Sequence, residues 1–444
     1  MDCDAIVVGL GPGGEEVAGR LAQSGLNVVG IEAELLGGEC PYWGCIPSKM
    51  MVRASDLLAE GRRIPGRAGM SVITPDWAPV AQRIRAEATD YWDDKVAVDR
   101  FVGKGGHFIR GRARVTGAHS VEVDGQEIRA SRALVLSTGQ KPWIPPMFEH
   151  LEHWTNRDAI AAEEVPASLL VVGGGAIGLE LGQVMSRFGS QVTIVELGER
   201  LAGPEEPEVS EVITEIFRRE GITVHTEAKL GRVEPHGEHG ATIHFADGSS
   251  VSGDRMLVST GRRSDLAALG VGALGLDETA RAIPTDPMMA VQPGVWAVGD
   301  VTGRGAFTHM AMYQARICVA AILGQPIEEA DYRAVPRVTF TDPEIGSVGL
   351  TEAAARAEDL GEVRVMHESI AKSARGWIHQ GEGLVKLVER DGVLVGATSM
   401  GPTGGEVLAI LTLAVHARVP VATLKSMIYA YPTFHRAIDA ALWS

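Results

Sequence analysis

The sequence predicts an α/β protein: two open-sheet domains built on strand–turn–helix–strand units, followed by a C-terminal α/β domain. Two observations predict it. A glycine-punctuated βαβ pattern occurs at residues 4–32 and again at 169–196, and a hairpin signal followed by an apolar helix lies near the end of the chain. With 444 residues, 45% hydrophobic and 22% charged, the chain can build several cores and has the composition of an ordinary globular protein. The formal net charge of -16 opposes nucleic acid or an anionic membrane as a partner, because phosphates are repelled. The first residues, MDCDAIVVG, read at once as a strand with no basic or apolar leader. The apolar stretch 407–415 is too short to span a bilayer. A cytoplasmic protein is expected.

In the first unit, DAIVVG is an apolar, β-branched run that continues as GLGPGGEEVAGRLAQSG and then NVVGIE. Gly9, Gly11 and Gly14 form G-x-G-x-x-G at the turn from strand to helix. Glycine permits the tight turn and lets a pyrophosphate approach the helix N-terminus, where unsatisfied N–H groups and the dipole attract anions. Glu32 ends the next strand, roughly twenty residues on, where a carboxylate can accept hydrogen bonds from a ribose. The glycines alone are weak evidence; framed by strand, helix and terminal acid they predict a Rossmann-like dinucleotide-binding domain.

The arrangement recurs. LLVVG leads into GGAIGLELGQVMSRFG and QVTIVE, so Gly173, Gly175, Gly178 and Glu196 repeat the fingerprint. Two units imply two dinucleotides. Glu196 repels a 2′-phosphate, so the second site is expected to prefer NAD over NADP, although Arg200 lies close enough to soften that preference. LVLSTG (134–139) and MLVSTGR (256–262) read as further strands, placing Thr138, Gly139 and Gly261 at turns where cofactors bind. VWAVGD (295–300) ends in Asp300, an acid at a strand C-terminus able to hold a sugar-alcohol hydroxyl.

The chain holds four cysteines. Cys3 and Cys318 lack close partners and read as inert buried residues. Cys40 and Cys45 lie in GGECPYWGCIPSK. A five-residue helical step rises about 7.5 Å, whereas a disulfide needs Cα atoms about 4.4–6.8 Å apart. The pair can close only where the backbone is irregular, and Pro41 and Gly44 supply that. Pro47 suits the first turn of a helix running through Leu58. Cys45 then sits near a helix start, where positive partial charge favours a thiolate, with Lys49 one turn later. Zinc is the rival reading, but no His or Cys cluster stands nearby, so no metal is expected.

These features together resemble the pyridine nucleotide-disulfide oxidoreductases, the family of dihydrolipoamide dehydrogenase, glutathione reductase and mercuric reductase. The resemblance covers essentially the whole chain. GGECPYWGCIPSK is its most specific motif, and VPRVTFTDPEIGSVGLTE (335–352) looks like the start of the family's interface domain. The resemblance implies a homodimer in which the first fingerprint, with Gly9, Gly11, Gly14, Glu32 and Asp300, binds FAD, and the second binds the nicotinamide. Lys49 would sit near the flavin N5, paired with Glu180. FTHMAMYQAR (307–316) would aim a helix N-terminus at the flavin pyrimidine edge, with His309, Met310 and Ala311 giving backbone contact rather than a base. The implied relay runs from NADH to flavin to a Cys40–Cys45 disulfide, with Cys45 facing the flavin and Cys40 attacking the acceptor.

The sequence departs from the family in two places. Disulfide reductases carry His-Pro-Thr-x-x-Glu near the C-terminus, the histidine serving as acid and base for the substrate sulfur. Here YAYPTFHRAIDAAL puts Tyr431 in the histidine's place and Arg436 in the glutamate's. Tyrosine, titrating near pH 10, is a poor base. A Tyr–Arg pair can instead donate a hydrogen bond, stabilise an anion or bind an acidic group. His435 follows, either as a substitute acid/base or simply covering a helix. Mercuric reductase shares the tyrosine but adds a C-terminal cysteine pair that this chain lacks. Between the active cysteines, Tyr42 and Trp43 stand where dihydrolipoamide dehydrogenases carry smaller residues, and either line an aromatic acceptor pocket or pack beneath the flavin domain.

The expected organisation is an FAD domain over 1–150, left through PWIPP (142–146), an NAD domain over 151–264, a return to the FAD domain over 265–331, and an interface domain over 332–444. In the last, GLVKLVERDGVLVGATSM reads as a hairpin turning at Asp391-Gly392, and 404–419 as an apolar helix. The leading functional expectation is an NADH-dependent reductase of a small disulfide or sulfur acceptor. A quinone or dye reductase acting directly from the flavin, a dihydrolipoamide dehydrogenase, mercuric-reductase-like chemistry and a non-catalytic NADH sensor are its rivals.

Overall fold

The computed structural model describes all 444 residues. The chain divides into two compact units, Met1–Ser48 with Ala81–Trp143 and Gly261–Asp331, and Lys49–Val80 with Ile144–Thr260 and Tyr332–Ser444.

The first unit is organised on an eight-stranded sheet. Its spatial order is Ala290–Gln292, Val295–Ala297, Gln126–Leu136, Asp2–Val8, Val28–Glu32 and His107–Arg110, with Arg114–Gly117 and Ser120–Val123 joining as an antiparallel extension. The strands around Asp2–Val8 pair in parallel, with Ile6 opposite Val29 on one side and Leu134 on the other. Where they pair in parallel, AIVV in the first strand and ALVL in its neighbour, the runs are apolar because a parallel sheet is buried on both faces. Ile6, Val29, Leu134 and Val295 are fully buried, and each such side chain contributes about 1.5–3 kcal/mol through removal from water. The helix Pro12–Gln23 follows the first strand, and the helix Thr308–Leu323 packs on it, with Ala311 against Gly13.

The second unit contains a four-stranded parallel sheet in the order Thr223–His225, Gln191–Val195, Ser168–Val172 and Arg255–Val258. Beside it lies an antiparallel sheet of Leu230–His236, Gly240–Phe245 and Ser250–Gly253, which sequence reading did not anticipate. A five-stranded antiparallel sheet follows, ordered Pro336–Thr339, Glu344–Gly349, Val393–Gly401, Leu384–Arg390 and Val363–Ser369. The hairpin turns at Asp391 (φ 51°) and Gly392 (φ 82°), the left-handed pair that a two-residue turn demands. The helix Gly404–His416 buries Leu408, Leu411 and Val415 against this sheet.

Several boundaries shift from expectation. The 404–419 helix ends at His416, because Arg418 turns left-handed and Pro420 follows. The helix from Cys45 extends past Leu58 to Arg62. The strands in 256–262 and 295–300 stop at Val258 and Ala297, where Gly261 and Gly299 take positive φ. Residues 49–80, expected in the FAD domain, belong to the second unit. The physical reason is a set of ties within that unit. Asp56 pairs with Arg187 at 2.8 Å, and Trp77 Nε1 donates to Ala162 O at 2.9 Å.

Candidate active site

The first fingerprint forms a cradle. Gly9 has φ +86°, and a Cβ there would lie 2.4 Å from Ser137 O. A Cβ on Gly14 would stand 1.9 Å from Gly9 O, so this glycine is needed for close helix–strand packing. Gly11 differs: a Cβ there would meet nothing nearer than Gly38 Cα at 4.0 Å. No side chain caps the helix Pro12–Gln23, which leaves N-terminal N–H groups for an anion. Glu32 holds the turn by accepting from Leu10 N at 2.8 Å and Glu34 N at 2.9 Å, and burial raises its pKa. Thr138 is exposed at the end of the neighbouring strand, and Gly139 follows with φ +64°. Burial also raises the pKa of Asp300, with Arg262 opposing that shift, and Arg262 lies 3.2 Å from Glu39. These features fit a dinucleotide such as FAD: a glycine turn, an uncapped helix end, and acids at two strand ends.

The cysteine segment enters the same unit. A short helix, Glu39–Trp43, breaks at Gly44 (φ -143°, ψ -114°), and a new helix starts at Cys45. This is the irregularity that the spacing required. Cys40 is half-buried and Cys45 exposed. Their side chains are hydrogen-bonded, and that bond together with burial pushes the Cys40 thiol far above its ordinary range, against a lowering influence of Thr308. The helix that starts at Cys45 directs its N-terminal positive partial charge toward that sulfur. Thr308 Oγ1 lies 3.3 Å from Cys45 Sγ. Thr308 was missed by sequence reading; its signal was its place as the first residue of the helix in FTHMAMYQAR. His309 is exposed and stacked on Phe307, and the N–H groups of Met310 and Ala311 donate to Phe307 O within the helix. Tyr42 is buried and lines a cavity of about 470 Å³ together with Cys40 and Thr308, while Trp43 stacks on Trp92 at 5.1 Å. Cys3 and Cys318 are buried, and burial pushes the Cys3 thiol up to about 11 and the Cys318 thiol higher still, as inert core cysteines require.

In the second unit, Lys49 Nζ is 2.6 Å from Glu180 Oε2, and Glu180 Oε1 accepts from Phe340 N at 2.8 Å. The ammonium also lies 4.6 Å from the centre of the Phe340 ring. Phe340, in the VTFTDPEIG stretch, is the second residue that sequence reading missed; its role is carried by a backbone N–H, which no residue type advertises. The second fingerprint repeats the first. A Cβ on Gly178 would sit 2.2 Å from Gly173 O, and one on Gly175 would meet nothing within 4 Å. Glu196 accepts from Gly174 N at 2.5 Å and Gly198 N at 2.6 Å. Arg200 is committed elsewhere, donating to Gly203 O and Glu205 O, both at 2.7 Å. Gly261, in the other unit, has φ +125°, and a Cβ there would meet nothing within 4 Å.

The C-terminal departures are also visible. Tyr431 is exposed, with the Arg436 guanidinium 5.7 Å from its ring centre. Arg436 also lies 3.4 Å from Asp439. His435 precedes the helix Arg436–Leu442, and its Nε2 is 3.3 Å from Thr433 Oγ1. Its ring packs near Tyr429.

Comparison with known proteins agrees with this geometry. The pyridine nucleotide-disulphide oxidoreductase family model matches residues 3–315, and the dimerisation-domain model of the same family matches 335–442. The chain belongs to the pyridine nucleotide-disulphide oxidoreductases. It is accordingly an FAD-dependent NAD(P)H:disulfide oxidoreductase of the α/β fold that the sequence predicted. It is 34% identical to a dihydrolipoyl dehydrogenase of Chlorobaculum tepidum, covering 99% of this chain and 96% of the relative. It is 31% identical to a dihydrolipoyl dehydrogenase of Bacillus subtilis, covering 98% and 94%. The HOCl-induced flavoprotein disulfide reductase RclA from Escherichia coli superposes with a TM-score of 0.86 at 25% identity, covering 99% of each chain. No helix is long and apolar enough to cross a membrane.

Proposed function

We propose that this enzyme passes electrons from NADH through FAD and the Cys40/Cys45 pair to a small disulfide. The observation that carries the reading is the hydrogen-bonded dithiol with Cys45 at a helix start and Cys40 on the wall of a cavity. Gly9, Gly11, Gly14, Glu32 and Asp300 would hold the FAD, with Thr138, Gly139 and Gly261 at neighbouring turns. Bound FAD supplies the two-electron coupling between nicotinamide and cysteines. The family members named dihydrolipoyl dehydrogenase make lipoamide-type chemistry the natural comparison, but Tyr431 stands where those reductases carry histidine.

The residues of the chain then divide the work. The Cys45 thiolate takes the Cys40 proton across their hydrogen bond, the Cys40 thiolate attacks one sulfur of the acceptor disulfide and breaks its S–S bond, and Cys45 passes the proton on to the first departing thiolate. The Cys45 thiolate attacks Cys40 Sγ, closing the Cys40–Cys45 bond and expelling the second thiolate, which takes a proton from solvent. The dithiol is oxidised by two electrons and the acceptor is reduced to two thiols. The uncapped helix end at Gly175 and the open space over it suit the nicotinamide dinucleotide. Glu196 would repel a 2′-phosphate, and the carbonyls that engage Arg200 keep it from answering one, which favours NAD. The matched dimerisation domain and exposed apolar side chains such as Ile428, 98% exposed, support a homodimer.

A second reading, direct quinone or dye reduction from the flavin, is favoured by one observation: His435 is bonded to Thr433 and has no orienting carboxylate. Cys40→Ser separates the two. With loss of the attacking sulfur, disulfide reduction should fall at least about a thousandfold, the scale seen when a nucleophile is removed, while quinone reduction persists. Disulfide turnover by Cys40→Ser at the wild-type rate would refute the relay.

A further inference from the structure

The loop that follows Glu196 is held from outside by two cations of the five-stranded sheet. It first folds over the second fingerprint. A Cβ on Gly174 would stand 2.7 Å from Leu201 Cδ2 and 3.1 Å from Glu196 Oε2, and Ala202 N donates to Gly174 O at 2.9 Å. Arg200 therefore borders the same turn as the acid at the strand end. Its guanidinium is engaged by its own loop, donating to Gly203 O and Glu205 O, both at 2.7 Å, and through Nε to Ser210 Oγ at 3.2 Å. Those carbonyls stay in reach only while residues 203–206 keep their course. Arg337, on the strand Pro336–Thr339, donates to Glu205 through Nε at 2.7 Å and Nη2 at 3.2 Å. Lys386, on the strand Leu384–Arg390, donates to Glu206 at 3.0 Å, and Glu206 also accepts from Glu352 N at 2.7 Å. Lys386 is buried and reaches Glu208 at 2.8 Å and Glu352 at 2.9 Å as well. Burial opposes its charge, but the three carboxylates outweigh burial and raise its pKa, so it stays an ammonium. Pro204 and Pro207 flank the two held acids and restrict the backbone between them.

Resting on the NAD preference proposed above, we infer that Arg337 and Lys386 are positioning residues for coenzyme selection: by fixing residues 203–206 they keep Arg200 on its carbonyls and so exclude a 2′-phosphorylated nicotinamide dinucleotide. Selection of this kind needs a repulsive element and the absence of a compensating attraction. Glu196 supplies the first. The ion pairs supply the second, by withholding a nearby cation that would offset the repulsion. Neither Arg337 nor Lys386 has to touch the coenzyme. When the loop is released, the Arg200 guanidinium is free to bind phosphate through its planar fork of N–H donors. A purely structural role would weaken NADH and NADPH alike, whereas a lock on Arg200 changes their ratio.

The test is anaerobic reduction of the FAD-loaded enzyme by NADH and by NADPH under rapid mixing, read as loss of flavin absorbance. The quantity compared is the limiting rate divided by the apparent Kd for each coenzyme. The wild type should favour NADH. Arg337→Gln removes a partly exposed cation and should narrow that preference about tenfold, the worth of one charge-assisted hydrogen bond, chiefly by tightening NADPH. Arg337→Lys, which keeps a cation against Glu205, should restore most of the preference. Adding Arg200→Gln to Arg337→Gln should cancel the gain for NADPH, because the gain needs the freed guanidinium. Lys386→Gln should shift the ratio in the same direction as Arg337→Gln. It strands buried carboxylates, and if it does not fold, the Arg337 variants decide. A preference unchanged by Arg337→Gln, or narrowed equally with and without Arg200, would overturn the lock while leaving the NAD reading intact. A wild type that takes NADPH as readily as NADH would overturn that reading and the lock together.

Discussion

The two glycine fingerprints are near copies with different surroundings. Each has a third glycine whose Cβ would strike the carbonyl of the first, at 1.9 Å in one and 2.2 Å in the other. Each has a terminal acid bonded to the N–H after the first glycine, Glu32 to Leu10 and Glu196 to Gly174. The first turn is roofed by the cysteine segment: Gly37 N donates to Leu10 O at 2.8 Å, and a Cβ on Gly38 would stand 2.8 Å from Gly11 Cα. In the second, a Cβ on Gly175 would meet nothing within 4 Å. The same local sequence thus makes an enclosed cradle suited to a resident cofactor and an open one suited to a dinucleotide that comes and goes. The helices that follow are anchored differently too. Pro12–Gln23 is tied by Glu15 to the half-exposed Arg100 at 2.7 Å, whereas Ala176–Arg187 ends in buried Arg187, bonded to Asp56, Glu220 and Asp342.

The largest way to break the comparison is at the third glycines. Gly14→Ala should cost about 4 kcal/mol or more, because the clash is with backbone, and the protein should purify without its yellow colour. Gly178→Ala should stay yellow, yet need far more NADH for half-maximal flavin reduction. Colourless Gly178→Ala would show the two sites to be less independent than their surroundings imply. Next in size are the anchors. Arg187→Met strands several carboxylates and should lose about 3–5 kcal/mol in denaturant unfolding, whereas Arg20→Met, breaking an exposed pair, should lose about 1 kcal/mol at most. Equal losses would mean that the buried network carries no special weight.

The smallest effect is a pH slope. Burial outweighs Arg187 and raises the Asp56 pKa from 3.8 to about 6. A carboxyl raised on folding favours the fold below its unfolded value and loses that contribution as pH rises through its folded value. Stability of the wild type relative to Asp56→Asn should therefore fall by about 1–2 kcal/mol between pH 4 and pH 6, after allowance for solvent screening. Thermal melts across that window would check the slope; a rise would reverse the sign.

How much was legible in the sequence follows from the range of the forces involved. The fingerprints, the Asp391-Gly392 hairpin and the cysteine break could be read because glycine, proline and β-branched runs act within a few residues. The Lys49–Glu180 pair came from resemblance, since its members are 131 positions apart. Phe340 escaped because its contribution is a main-chain donor. Thr308 escaped because a hydroxyl at a helix start looks like any other first-turn residue until the fold sets it against Cys45. The ties of 49–80 to the second unit, through Asp56 and Trp77, are long-range, and no local pattern announces them.

The most direct test of the central claim is an anaerobic NADH titration of the purified flavoprotein, followed by absorbance. A long-wavelength thiolate-to-flavin band should grow in as two electrons enter, and Cys45→Ser should lack it. Simple bleaching of the flavin at the first two electrons in the wild type, with no such band, would contradict a live cysteine pair beside the flavin.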